Sequence, residues 1–184
     1  MKMKTETLLS DLRQRTEFCI KNAKFLQEQG EKQLQIKPNP KAWNAIECLE
    51  HLNYYAAFYH SRIQLKIDQS SHKPQPHFKS SWLGKRFAQA VHPDAKPMNT
   101  LRKTNPLEKV EDLASNQTLL TFLSHQEDLL QLIEKAQSTN LEKVKVGISI
   151  APLIKVQLGD VLNFNVLHNQ RHIHQALRAA QLEE

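Results

Sequence analysis

Glycine is scarce in this chain, with 4 in 184 residues, where an average usage of about 7% would place about 13. Turn-dense β-barrels and the Gly-rich loops that cradle phosphates need more, so all-β folds, dinucleotide-binding α/β domains and P-loop NTPases are set aside. Cysteine is scarcer still: Cys19 and Cys48 are the only two. They could form one bridge at most and belong to no Cys-x-x-Cys pair, which argues against a disulfide scaffold or a thiolate zinc site. Both fall in apolar helical patterns and read as small core residues of a protein in a reducing compartment. Long apolar runs are missing as well. No stretch approaches the roughly 18 residues of a membrane span. The N-terminal MKMKTETLLSDLRQRT turns polar before the apolar region of a secretory signal can develop. A soluble, cytoplasmic protein with no membrane partner is expected.

What the chain does have is enough apolar content, 40%, to build one core, and a length that suits a single domain over residues 1–184. In residues 5–29, Leu8, Leu9, Leu12, Thr16, Cys19, Ile20, Ala23 and Leu26 recur at helical spacing before Gly30, which predicts a long first helix. After Pro38 and Pro40, Asn44 precedes Glu47 by three residues, the arrangement of a capping box. The helix it opens runs to about Lys66, with Ile46, Leu49, Asn53, Ala56, His60 and Ile63 on one stripe. Leu83, Phe87 and Val91 predict a short helix ended by Pro93, and the apolar set from Pro106 to about Gln137 predicts a third long one. Residues 143–158 alternate in part, but Gly147 and Pro152 break them into a short extended connection. Asp160 is expected to cap a last helix reaching about Ala180. The class is all-α: four long helices, with one long crossover between the second and the third.

The crossover holds the charge. Residues 66–103 carry eight Lys/Arg against Asp68 and Asp94, which accounts for the whole formal charge of +6. Its prolines and the lack of any helical or strand period among its cations disfavour nucleic acid as a partner. A solvated loop and a rim that draws an anionic small-molecule substrate remain, with Lys85 and Arg86 as candidate substrate contacts. From His51 to Lys66 the second helix rises roughly 22 Å, so the segment must fold back to reach a site near His51, and Pro74, Pro76 and Gly84 permit that return.

Nine histidines are present, and His168 and His172 stand four apart on the last helix, one above the other on one face. That face also carries Phe164, Asn165 and Gln175, few charges, and so points inward. His51 lies beside Leu49, Leu52 and Tyr55, and antiparallel packing could set it opposite the pair. Two readings fit: three neutral imidazoles around a divalent ion with open positions, or hydrogen-bonded interior histidines. His174 should face away. His60 and His125 read as isolated.

The segment KAWNAIECLEHL, with Trp43 before a capped helix and His51 eight residues later, resembles the second helix of DinB/YfiT-like proteins, a family distinct from the polymerase that shares the DinB name. GDVLNFNVLHNQRHIHQAL resembles that family's last helix, with its His-x3-His pair followed by a glutamine, here Gln175. The resemblance implies a four-helix bundle of DinB/YfiT type, a homodimer, and a divalent metal (Zn, Ni or similar) held by His51, His168 and His172. It also implies a metal-dependent transferase acting with a low-molecular-weight thiol, or a hydrolase. Glu47, one turn before His51, is a candidate catalytic proton acceptor, with helix capping as the other reading. The competing reading of the whole is a non-catalytic bundle with structural histidines, whose basic segment docks an acidic partner or nucleic acid.

Overall fold

The computed structural model describes residues 2–96, 104–106, 115–149 and 151–183. A three-residue strand, β1 (Lys2–Lys4), leads directly into α1 (Thr5–Gln27). The residues α1 buries are the eight that the periodicity selects. After one turn of helix, α2 (Glu31–Leu34), the chain enters α3 (Ala45–Asp68) through the expected capping box. Asn44 Oδ1 accepts from the Glu47 amide and Glu47 Oε2 accepts from the Asn44 amide, both at 2.8 Å. The crossover contains β2 (His77–Lys79) and α4 (Trp82–Val91), which ends just before Pro93 as its pattern predicts. The third long helix, α5 (Ser115–Ala136), is described from Ser115; the expected start at Pro106 is followed by residues 107–114, which lie outside the described residues. β3 (Lys145–Ile148), β4 (Ala151–Gln157) and α6 (Leu158–Ala179) complete the chain.

The long helices pack in the cyclic order α1, α5, α3, α6, and side-chain pairs fix their directions. Tyr55 meets His168 and Phe164, and Tyr59 meets Phe164, so α3 and α6 are antiparallel. Asn53 reaches Thr118 and His60 faces His125, so α3 and α5 are parallel. Arg15 reaches Gln170 and Phe18 lies against His174, so α1 and α6 are parallel as well. Two parallel neighbours explain the crossover. α3 ends at one end of the bundle and α5 starts at the other, so the connection must span a helix whose 24 residues rise about 36 Å. The core has two parts, one around Leu12, Ile63, Leu129 and Leu162, the other around Cys19, Cys48, Phe122 and Ile173. Both cysteines are free and buried, and burial pushes their thiols upward, as small core residues behave.

Two small antiparallel sheets close one end. β1 pairs with β2, and β3 with β4, the latter with an irregularity at Gly147/Ile148. The second is a hairpin, where the sequence pattern suggested only an extended connection. Phe78 is buried on Gly159, where a β-carbon would stand 2.6 Å from its ring. Asp160 does not cap α6. The residue before the helix is Gln157, with no side-chain cap, and the Asp160 carboxylate instead accepts from Ser80 Oγ, Ser81 Oγ and the Ser81 amide. Three donors outcompete one cap position. Among the described residues, no helix is long and apolar enough to cross a membrane.

Candidate metal centre

α3 and α6 meet where each carries histidine. The i, i+4 spacing stacks His168 and His172 on one face of α6, and the antiparallel register brings His51 of α3 against both. All three are buried, at 4%, 6% and 8% exposure. His51 Nε2 lies 3.2 Å from His168 Nε2, and His172 Nε2 lies 3.1 Å from the same atom. Among the described residues they form the one group of three side chains whose ligand atoms lie within 4.8 Å of one another.

The other ring nitrogens determine what these Nε2 atoms can be. His51 Nδ1 donates to the Thr104 carbonyl at 2.8 Å, and His172 Nδ1 donates to Gln175 Oε1 at 2.8 Å. Both rings are therefore Nδ1–H tautomers whose Nε2 lone pairs face His168. A single His168 Nε2–H could satisfy one of them and not the other. Protonating the cluster does not relieve this shortage. Burial pushes His51 down to about 4, against the opposing pull of the Thr104 carbonyl, and pushes His168 and His172 well below the ordinary value, with the neighbouring imidazoles adding to the effect. Converging neutral nitrogens, one donor short and held by outer hydrogen bonds, fit a divalent cation.

Aromatic rings wall the cluster. Trp43 lies 4.9 Å from the His51 ring and 5.7 Å from His172, Tyr55 lies 4.7 Å from His168, and Phe164 stacks on His168 at 5.4 Å. Trp43 Nε1 donates to Asn105 Oδ1 at 3.2 Å. The crossover does return to the ligand helix: α4 packs along α6, with Phe87 6.2 Å from Phe164. Lys85 and Arg86 ride on its exposed side, Arg86 over the Trp82 ring at 5.9 Å.

Glu47 lies apart in its bonding. One oxygen closes the capping box and the other meets Lys37 Nζ at 2.7 Å. His174 faces away from the cluster, as expected, against Glu183 and Phe18. His60 and His125 are not isolated: they pack edge to face across α3 and α5, at 5.6 Å. Sequence reading missed Thr104 and Asn105 altogether and named Tyr55 only as apolar surface. Thr104 acts on His51 through a backbone carbonyl, which no residue type signals.

The bundle has counterparts among known proteins. No curated protein matches the chain. A solved structure with TM-score 0.54 and 13% identity, covering 96% of this chain and 86% of its own, is YfiT from Bacillus subtilis, described as a probable metal-dependent hydrolase with an unusual four-helix bundle topology. That likeness concerns the fold. The family model of the DinB superfamily matches residues 13–176, and the chain belongs to that superfamily.

Proposed function

We propose that the protein is a metal-dependent enzyme in which His51, His168 and His172 hold a divalent ion, Zn²⁺, Ni²⁺ or similar. The observation that carries this is the convergence of three buried Nε2 atoms, two of them held unprotonated by Thr104 and Gln175. Imidazole ligands do not choose among these metals. When bound, such an ion polarises a substrate oxygen and acidifies a water or a thiol, the chemistry of hydrolysis and of transfer to a low-molecular-weight thiol alike. The description of YfiT as a probable metal-dependent hydrolase supports the first; the second extends the proposal.

The chain's own groups prepare the site. Trp43, Tyr55 and Phe164 exclude bulk water from the imidazoles, which strengthens polar interactions within it. Lys85 and Arg86, on the helix packed along α6, would raise the local concentration of an anionic substrate. A catalytic part for Glu47 requires release of Lys37, whereas its capping part requires nothing further.

The test uses protein purified without an affinity tag. Metal content is measured, the ion is stripped and restored, and each form is assayed for hydrolysis of an activated ester and for transfer of a small thiol to a chromogenic electrophile. One ion per chain and turnover only in the restored form are expected. Rates independent of the metal, or unchanged in His172→Ala, would refute the reading.

A further inference from the structure

His51 is oriented by a segment that carries none of the three histidines. Its Nδ1–H reaches the carbonyl of Thr104, at the far end of the crossover and 53 positions along the chain. Thr104 is itself buried, and Tyr55, one turn after His51 on α3, sets its ring 5.0 Å from the His51 ring. The next residue, Asn105, accepts from Trp43, the ring that touches both His51 and His172. On its other side the crossover is tied to the helix of the other two histidines. Arg171, immediately before His172, donates to the carbonyls of His92 at 3.0 Å, Lys96 at 3.2 Å and Ala90 at 3.5 Å. Two described parts of the crossover thus flank the three histidines: residues 90–96 are held by Arg171 of α6 beside His172, and Thr104 and Asn105 lie against His51 and Trp43.

We propose that the crossover is a working part of this centre: Arg171, Asn105 and Thr104 are positioning residues that hold His51 as its Nδ1–H tautomer, so that crossover docking and metal binding form one linked equilibrium. The proposal rests on the metal reading given above. A neutral imidazole offers Nε2 to a cation only while its proton sits on Nδ1, and an acceptor at Nδ1 is what keeps it there. With the crossover undocked, His51 loses that acceptor, and a proton on Nε2 blocks it as a ligand. Linkage runs both ways: whatever factor docking contributes to metal affinity, metal contributes to docking. Outer partners of metal-bound histidines typically change affinity by about 10–100-fold.

The test is a titration of chelator-treated protein with Ni²⁺ and with Zn²⁺, comparing the natural sequence with Arg171→Met and Asn105→Ala. Each variant is checked for native helix content. The natural protein is measured in parallel by amide hydrogen exchange over residues 85–96 with and without metal, and by the nitrogen shifts of the His51 ring. Both variants are expected to bind more weakly at unchanged stoichiometry, by about 10-fold, the low end of that range, because each acts through another group and not directly on an imidazole. Exchange in the crossover should slow when metal is added, and His51 should carry its proton on Nδ1. Variant affinities equal to the natural one, or exchange indifferent to metal, would overturn the proposal while leaving the metal reading standing. Absence of any binding by the natural protein would remove both. The exchange measurement needs no variant, so a variant that misfolds does not shield the proposal.

Discussion

Gly84 and Asp160 are in direct contact: a β-carbon at position 84 would stand 2.0 Å from Asp160 Cγ and 2.2 Å from its Oδ2. The same carboxylate accepts from Ser80 Oγ at 2.5 Å and Ser81 Oγ at 2.7 Å, and Ser81 Oγ in turn accepts from the Gly84 amide at 2.9 Å. α4 therefore docks on α6 through a glycine that leaves room for the acid. Gly84→Ala should cost about 1–3 kcal/mol, the range for overpacking a close contact, and should loosen α4. Urea unfolding together with hydrogen exchange in α4 checks this, and a variant as stable as the natural protein would show the contact to be slack.

His172 and His174, two positions apart on α6, should behave differently from each other. His172→Ala removes one of the three converging nitrogens and should weaken Zn²⁺ or Ni²⁺ binding strongly. His174→Ala should leave it unchanged, because His174 faces Glu183 and Phe18. Calorimetric titration of both variants decides, and equal effects would place the ion on another face of α6.

Stability should fall with acidification, and His60 gives the clearest case. Burial pushes it down to about 4, with the charge of His125 adding to the effect, and its Nδ1 has no hydrogen-bond partner among the described residues. In the unfolded chain the same side chain titrates near 6.5, so the unfolded state takes the proton first. Stability is then complete above about pH 6.5 and is lost as pH falls toward 4, by about 3 kcal/mol from this group. Urea midpoints of metal-free protein at pH 7.5 and pH 5 should differ, and His60→Leu should shrink the difference. An unchanged midpoint would mean that His60 is solvated.

Charge reversal at Lys85 and Arg86 tests the role of the exposed side of α4. If these cations recruit an anionic substrate, Lys85→Glu with Arg86→Glu should raise KM without loss of metal. Added salt should mimic the effect as it shortens the Debye length below about 8–10 Å. Unchanged kinetics combined with loss of nucleic-acid binding would instead mark a docking surface.

A homodimer is expected from the resemblance to DinB/YfiT-like proteins. Light scattering at tens of micromolar should give twice the chain mass of 21.3 kDa. The mass of a single chain would dismiss it.

Much of this protein was legible from local pattern alone. Helical spacing selected the residues that α1 buries, Asn44 and Glu47 announced the cap of α3, and the i, i+4 rule put His168 and His172 on one face. In each case the physics lies within a few residues: the rise per turn, the reach of a side chain to its own backbone, the burial of one stripe. The remaining features depend on contacts across the chain. β1 meets β2 some 75 positions away, with only three residues in each strand to signal it. Asp160 left its cap position because two serines from the crossover offered it three donors. His51 joined the pair on α6 only through the antiparallel register of two helices, and its tautomer is held by the carbonyl of Thr104, a backbone group that every residue carries alike. Sequence pattern determines which faces must be buried; only packing decides which buried face meets which, because that choice is made by the sum of many distant contacts.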